Sequence, residues 1–174
     1  MSNADRFNQL FSYDQSTGIL TWKLPTARNI KKGQAVGSFD KHGYRKITVD
    51  GKTLLAHRVI WCMHYGAMPN GDVDHINRNR LDNRIENLRL TTRSMNAVNS
   101  THSRSSTGFR GITLMADGSF RAQIGGKGKV KHLGFFKTAE DAKEFYELAS
   151  VLKYGEFSPY HPTSAAQAAK QGEV

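Results

Sequence analysis

The stretch that decides the fold runs from Val73 to Asn99. Val73-Asp74-His75-Ile76-Asn77 opens it, Asp82-Asn83-Arg84-Ile85-Glu86-Asn87-Leu88-Arg89 forms its middle, and Asn96-Ala97-Val98-Asn99 closes it. Residues 72–76 read as a strand, followed by a polar loop rich in Arg and Asn and a second strand near Leu88 to Leu90. Thr91 or Thr92 then fits the N-cap of a helix carrying Met95, Asn96 and Val98, because a threonine oxygen can accept from the unpaired N–H groups of a first turn. Strand, loop, strand, helix is the expected order. Neighbours on an ideal strand point to opposite faces. Asp74 and His75 therefore reach one phosphate only if the strand twists, bulges or ends there, and Ile76-Asn77 offers an end.

These residue types suit phosphodiester cleavage, which needs a nucleophile, relief of negative charge and help for the leaving oxygen. A divalent ion held by hard oxygen ligands can supply the last two. A histidine that is mostly neutral at pH 7 can activate a water as general base. Asp74 offers a carboxylate and Asn96 an amide oxygen to one ion, while His75 stands beside them in sequence. One carboxylate and one amide neutralise half a divalent charge, so such a site would hold its metal weakly until a phosphate joins. That donor set favours Mg²⁺ or Mn²⁺ over zinc, because neither Cys nor paired His ligands are offered.

Upstream, a short helix is expected over residues 58–65, ended by Gly66 and Pro69-Asn70-Gly71. The stretch before it, to residue 56, reads as β: Ser16-Thr17-Gly18 turns into Ile19-Leu20-Thr21-Trp22, and Asp50-Gly51 separates residues 44–49 from 52–56 as a hairpin turn. It carries nine Lys/Arg against four Asp/Glu. Downstream, residues 100–106 form a polar linker. Three short strands follow at 108–114, 119–124 and 130–136, then a helix from Ala139 to about Tyr154 with Thr138 as its cap. Ala142, Phe145, Leu148, Ala149 and Leu152 recur at helical spacing and are expected to lie on the sheet as core. Residues 107–137 hold six Lys/Arg and one acid, Asp117, whereas Glu140, Asp141, Glu144 and Glu147 lie on the helix. A basic sheet backed by an acidic helix has a shape that can enter a DNA groove.

The whole chain agrees with that partner. It has 174 residues, a formal charge of +10 and a pI near 9.9, a surplus that points to a polyanion, most often nucleic acid. No apolar stretch approaches the roughly 20 residues that span a bilayer, and the first residues lack a secretory layout, so a cytoplasmic location is expected. Cys62 is the single cysteine and sits in the apolar run Val59-Ile60-Trp61-Cys62-Met63, which makes it a core residue and excludes an internal disulfide.

The 73–99 stretch resembles the HNH (His-Me finger) motif of phage homing endonucleases, in the variant that ends in Asn instead of a second His. The resemblance implies a ββα-metal finger in which Asp74 and Asn96 bind the ion and His75 is the general base. It also implies that Asn87 steadies the loop and positions the histidine, with Asn99 a weaker supporting candidate. His57-Arg58-Val59-Ile60 is similar to a His-Arg pair that often precedes this motif, and His57 is expected to be structural; His42, His64 and His102 carry no telling spacing. Residues 107–160 resemble an AP2 domain, three antiparallel strands packed on one helix. The resemblance rests on Phe109-Arg110-Gly111-Ile112, Ala122-Gln123-Ile124, Leu133-Gly134-Phe135-Phe136, Thr138-Ala139-Glu140-Asp141-Ala142 and the helix end from Ala149 to Gly155. In that family the sheet enters the major groove and Arg110 matches a DNA-contacting arginine. His132 and Gln123 stand where the family usually has Trp and Glu, so its base preference does not transfer. Arg121, Gln123, Lys129, Lys131 and His132 are further contact candidates on charge and position, and Lys137 is read as a solvated lysine.

The expected fold class is α+β: a β-rich DNA-contacting segment at 1–56, an HNH module at 57–99, a linker at 100–106, an AP2-like domain at 107–160 and a tail at 161–174. The expected activity is hydrolysis of double-stranded DNA by a monomer that needs one divalent ion, no small-molecule cofactor and no membrane. Two alternatives stand beside it: a catalytically silent AP2-type regulator, and a phage DNA-processing nuclease of low specificity.

Overall fold

The first helix begins where composition suggested only β structure. In the computed structural model, which describes all residues except 25–26, 101–102, 104, 127–128 and 165–174, α1 spans Asn3–Leu10. Ser2 and Asp5 form a reciprocal capping box, side chain to backbone N–H in both directions at 3.1 and 3.0 Å. That arrangement satisfies two N–H groups that a helix start leaves open. Ala4 and Phe7 are its buried residues.

The chain then forms a hairpin from β1 (Phe11–Asp14) and β2 (Ile19–Trp22), in the register Phe11↔Trp22 to Asp14↔Ile19. β3 (Ser38–Phe39), β4 (Arg45–Val49) and β5 (Lys52–Leu55) make a three-stranded antiparallel sheet in that order. The β4–β5 turn lies at Asp50-Gly51, as the sequence pattern predicts, with both residues at positive φ. α2 (Ala56–Tyr65) starts two residues earlier than the pattern suggested and stops at Gly66, whose φ of 81° suits a left-handed cap. β6 (Asp72–His75) and β7 (Leu88–Thr91) pair antiparallel, and a 3₁₀ turn at Ile85–Asn87 leads into β7.

Chain contacts group residues 1–93 into one compact unit and 94–174 into another. Phe11, Leu20, Val36, Ile47, Val59, Ile60 and Cys62 are almost wholly buried in the first unit, and Val73 and Leu88 of the β6–β7 pair join the same cluster. The N-terminal segment and the 57–92 stretch, read apart in the sequence, therefore share one core. A 40-odd-residue finger has too little apolar surface to fold alone, and the hairpins and α1 supply the rest. Cys62 is a core residue, and burial pushes its thiol up.

α3 (Arg93–Val98) starts directly after Thr92, and the division between units falls after its first residue. In the second unit, β8 (Ile112–Leu114), β9 (Phe120–Gly126) and β10 (Lys129–Phe136) form an antiparallel sheet in the order β10-β9-β8. α4 (Ala139–Tyr154) packs on it, with Thr138 capping the Asp141 N–H at 3.1 Å. Ile112, Ala122 and Ala142 centre this small core, with Phe109, Phe120, Leu133 and Phe136 packed around them. The expected 108–114 strand is thus shorter, and the 119–124 strand longer. Parts of the expected linker (101–102 and 104, with His102) and of the tail (165–174) lie outside the described residues.

The apolar stripe assigned to α4 does not face the sheet as a whole. Ala142, Tyr146 and Ser150 are the buried residues, whereas Phe145, Leu148 and Leu152 are 49, 58 and 84% exposed. Three strands give a narrow platform, and the small Ala142 and Ser150 let the helix approach it closely. Ser150 also meets Ser158 Oγ at 2.9 Å, so a polar pair occupies a place that hydropathy gives to Leu. Gly111 completes the fit: a Cβ there would lie 2.4 Å from the Tyr146 ring.

Candidate functional site

β6 ends at His75, so Asp74 and His75 occupy the last two positions of a strand that stops, as an end at Ile76 allows. Both are buried, at 7 and 4% exposure. His75 Nε2 lies 3.0 Å from Asn83 Oδ1, and the Asn83 amide nitrogen points to the Leu81 carbonyl at 3.5 Å. An amide oxygen only accepts, so Nε2 carries the hydrogen and Nδ1 keeps the lone pair. Burial pushes the His75 ring below the ordinary histidine range, against the opposing pull of the Asn83 bond and of Asp74 and Asp82. The ring is therefore neutral at pH 7, the form a general base requires.

The loop between the two strands is held by its own side chains. Asn87, 1% exposed, accepts from the Asn77 N–H at 2.9 Å and donates to the Asp82 carbonyl at 2.7 Å. Asn77 Nδ2 reaches Asp82 Oδ2 at 2.7 Å, and Arg84 grips the same carboxylate through Nε and Nη2, each at 2.8 Å. Asn87 thus ties the start of the loop to its far side and so fixes where Asn83 meets His75. The β1–β2 hairpin braces the same place: Tyr13 Oη donates to the Asn83 carbonyl at 3.2 Å and accepts from the Ile85 N–H at 2.9 Å.

His57 of α2 lies ring to ring with His75, centroids 5.0 Å apart and planes nearly perpendicular, and Tyr44 packs 5.6 Å from His57 and 6.1 Å from His75. Burial, with His75 and Arg58 nearby, pushes His57 down to about 3. It is a neutral packing partner of the His75 ring. His42 and His64 are exposed.

Asp74 pairs across the strands with Arg89, whose Nε and Nη2 meet Oδ2 at 3.1 and 2.9 Å with both side chains about one-tenth exposed. Sequence reasoning missed Arg89 and Asn83. The antiparallel register Asp74↔Arg89 was the available signal for the first, but it becomes visible only once the strand pairing is known. Asn96 lies on α3 in the second unit, with buried Asn99 just after the helix. Among the described residues no group of three or more His, Cys, Asp or Glu side chains gathers to hold a metal.

In the second unit the sheet sorts the remaining candidates. Ala122 and Ile124 are buried beneath α4, so Arg121 and Gln123 occupy the opposite, open face of β9. His132 pairs with Gln123, and Phe135, 61% exposed, pairs with Arg121, on that same face. Lys131 pairs with Ile124 and stands on the α4 side, and by strand alternation Lys129 shares that side. Arg110 turns elsewhere. Its Nη1 donates to the carbonyls of Val98, at 2.9 Å, and Ser100, and its Nη2 donates to that of Ala97 at 3.2 Å. A guanidinium there satisfies carbonyls that the end of α3 leaves open. Lys137 is exposed.

Residues 54–98 match the HNH endonuclease family. The chain is 31% identical over 120 residues to a protein of Acanthamoeba polyphaga mimivirus described as an uncharacterized HNH endonuclease, a match that covers 68% of this chain and 62% of the relative. A solved structure described as DNA binding and cleavage by the HNH homing endonuclease I-HmuI is 27% identical, with a TM-score of 0.37, covering 51% of this chain and 49% of that one. The chain thus spans less than two thirds of the viral relative and about half of the solved one. No helix among the described residues is long and apolar enough to cross a membrane.

Proposed function

We propose that this protein is a divalent-metal-dependent HNH endonuclease that hydrolyses DNA phosphodiester bonds with a His75-activated water. The observation that carries the reading is the buried His75 at the end of β6, its Nε2 3.0 Å from Asn83 Oδ1 and its ring pushed below the ordinary histidine range by burial, inside the stretch that matches the HNH family. Nδ1 takes the proton of the attacking water, and Asn83 steadies the imidazolium by accepting from Nε2–H. Asn87 acts one step back, as a positioning residue that keeps Asn83 in place.

Asp74 and Asn96 would hold the ion, Mg²⁺ or Mn²⁺. When bound it supplies Lewis-acid neutralisation of the phosphate and of the leaving oxygen. Arg89 balances the Asp74 charge within the protein and sets how readily the carboxylate accepts a second cation. The basic chain and the open Arg121–Gln123–His132 face of the second unit support double-stranded DNA as substrate, with the AP2-like module as its grip. On the motif's resemblance, the biological role is that of a phage-type homing endonuclease acting as a monomer.

A supercoiled plasmid carrying the DNA that flanks this gene tests the reading. Wild type with Mg²⁺ should convert it to relaxed or linear product, EDTA should stop the reaction, and His75→Ala should slow it by about 10²–10⁴-fold, the range of a general base. A His75→Ala variant that cuts at the wild-type rate would remove His75 as the base.

A further inference from the structure

In the second unit β10 breaks the alternation that a regular strand imposes. His132 pairs with Gln123 and Gly134 with Ala122, so Leu133 is an extra residue, a β-bulge. In an unbroken strand Phe135 would stand on the face opposite His132, the side that α4 covers. The bulge reverses that. Leu133 and Phe136 pack on the small core, while Phe135, 61% exposed, joins His132 on the open face with the two rings 4.8 Å apart. Gly134 makes the reversal possible: its φ is +151°, and a Cβ there would lie 3.3 Å from the Phe136 ring. An exposed phenylalanine alone says little; one that a bulge carries away from the core side calls for a partner.

The neighbours of Phe135 indicate what that partner is. Thr113, Arg121 and Phe135 form one row across the three strands, and Gln123 and His132 form the next. Val130, 56% exposed, follows His132 on the same face. β8, β9 and β10 contain no Asp or Glu, and Asp117, in the turn before β9, accepts from Ser119 N–H and Oγ at 3.0 and 2.6 Å. A face with an arginine and no acid suits a polyanion. β9 and β10 make a ribbon of seven and eight residues, whereas β8 has three. The DNA major groove admits a two-stranded ribbon, and the apolar group that base edges present there is the 5-methyl of thymine. A glutamine amide can pair with N6 and N7 of adenine, so Gln123, one row from Phe135, matches the other base of an A·T pair.

We propose that Phe135 reads thymine 5-methyl groups in the major groove, seated against His132 and flanked by Arg121 and Gln123, so that the second unit selects thymine-containing sites as well as holding DNA. The proposal rests on DNA being the substrate. A methyl reader and a backbone grip differ in one respect that can be measured: removing the methyl leaves every phosphate in place.

The test changes that one group. The DNA that flanks this gene is amplified with either dTTP or dUTP, which removes the 5-methyl groups and keeps the hydrogen-bonding edges and the phosphates. The two duplexes compete for full-length protein in a gel shift in EDTA, where no cutting intervenes. Wild type should prefer the thymine duplex by about fourfold or more, the worth of a methyl taken out of water. Phe135→Ala should abolish the preference, and Phe135→Leu, which keeps an apolar side chain, should retain part of it. The ratio is read within each protein, so a general loss of affinity does not imitate the effect, and unchanged thermal unfolding verifies that the variants fold. Equal binding of both duplexes by wild type, or an undiminished preference in Phe135→Ala, overturns the reading of thymine. Absence of binding to either duplex at low salt overturns both this inference and the DNA reading, and points to a protein partner for the open face. A Phe135-dependent preference in a protein that never cuts with Mg²⁺ or Mn²⁺ leaves thymine reading standing and removes the nuclease.

Discussion

Two imidazoles lie edge to face in the first unit, and burial holds both below the ordinary histidine range. The consequence reaches beyond the proposed chemistry. In the unfolded chain His57 titrates near 6.5, whereas in the fold it titrates at about 3. Below pH 6.5 the unfolded state therefore binds a proton that the folded state excludes. Stability is full above pH 6.5 and falls as the pH drops towards 3, by up to about 1.4 kcal/mol per pH unit for each such histidine. The groups around His57 are Tyr44, His75 and Arg58, which offer it no carboxylate to offset the loss. Urea unfolding at pH 7.5, 6 and 5 should show this decline, and His57→Phe should flatten it whatever its absolute stability. Parallel curves for the two proteins would show that His57 is not the group responsible. At this scale residue type alone singled out Asp74 and His75 as candidates, and Asn87 entered only through the motif's resemblance. Asn83 and Arg89 stood out by neither route, because their importance lies in a loop conformation and a strand register, neither of which is written locally.

Elements determine whether those residues meet. Gly18, at the turn between β1 and β2, has φ +73°, and a Cβ there would come within 2.5 Å of the Arg84 nitrogen and 2.7 Å of the Asn83 carbonyl carbon. The hairpin turn thus rests backbone to backbone on the residue that holds His75. Gly18→Ala must shift one of the two segments, and it also strains its own backbone. It should cost about 1–3 kcal/mol of stability, measurable by thermal unfolding. Its single-turnover cleavage at a temperature where it is fully folded should fall as well, because Asn83 moves. A variant destabilised to this extent that cuts at the wild-type rate would mean that the hairpin supports the fold but not the base. The turn itself was readable in Ser16-Thr17-Gly18; its contact with a loop some 65 positions on was not. Elsewhere, local signals succeeded where they are strong: Asp50-Gly51, the Gly66 stop and the Thr138 cap all stand as read. They failed in two ways. The Ser2–Asp5 capping box was available but passed over among β-like neighbours. The α4 stripe was found by period, yet period cannot say which side of a helix a narrow sheet will cover.

For the molecule as a whole, a charge of +10 is spread over two compact units, and the proposed DNA substrate raises the question of which surfaces would meet it. Each phosphate neutralised by Lys or Arg releases counterions and adds about 0.9 to the slope of log affinity against log salt. Wild-type binding should therefore weaken steeply between 50 and 200 mM salt. The second unit offers a comparison within a single sheet. Arg121, Gln123 and His132 share the open face, whereas Lys131 faces the α4 side beside Leu133, Phe145 and Leu148. If the open face grips DNA as an AP2-like sheet, Arg121→Ala should weaken binding several-fold and lower the salt slope by about one contact. Lys131→Ala should do less, although both residues looked equivalent from charge and position alone. Arg110→Ala tests a different link. Its guanidinium holds the Ala97, Val98 and Ser100 carbonyls at the end of the helix that carries Asn96, so its loss should loosen α3 and raise the Mg²⁺ concentration needed for cleavage without changing the salt slope. Fluorescence-anisotropy titrations of one labelled duplex at four salt concentrations, with Mg²⁺ titrations of cleavage alongside, separate the three. Equal slope changes for Arg121→Ala and Lys131→Ala would show that DNA does not distinguish the two faces of the sheet. A changed slope for Arg110→Ala would return that arginine to the DNA-contacting role its family resemblance implies.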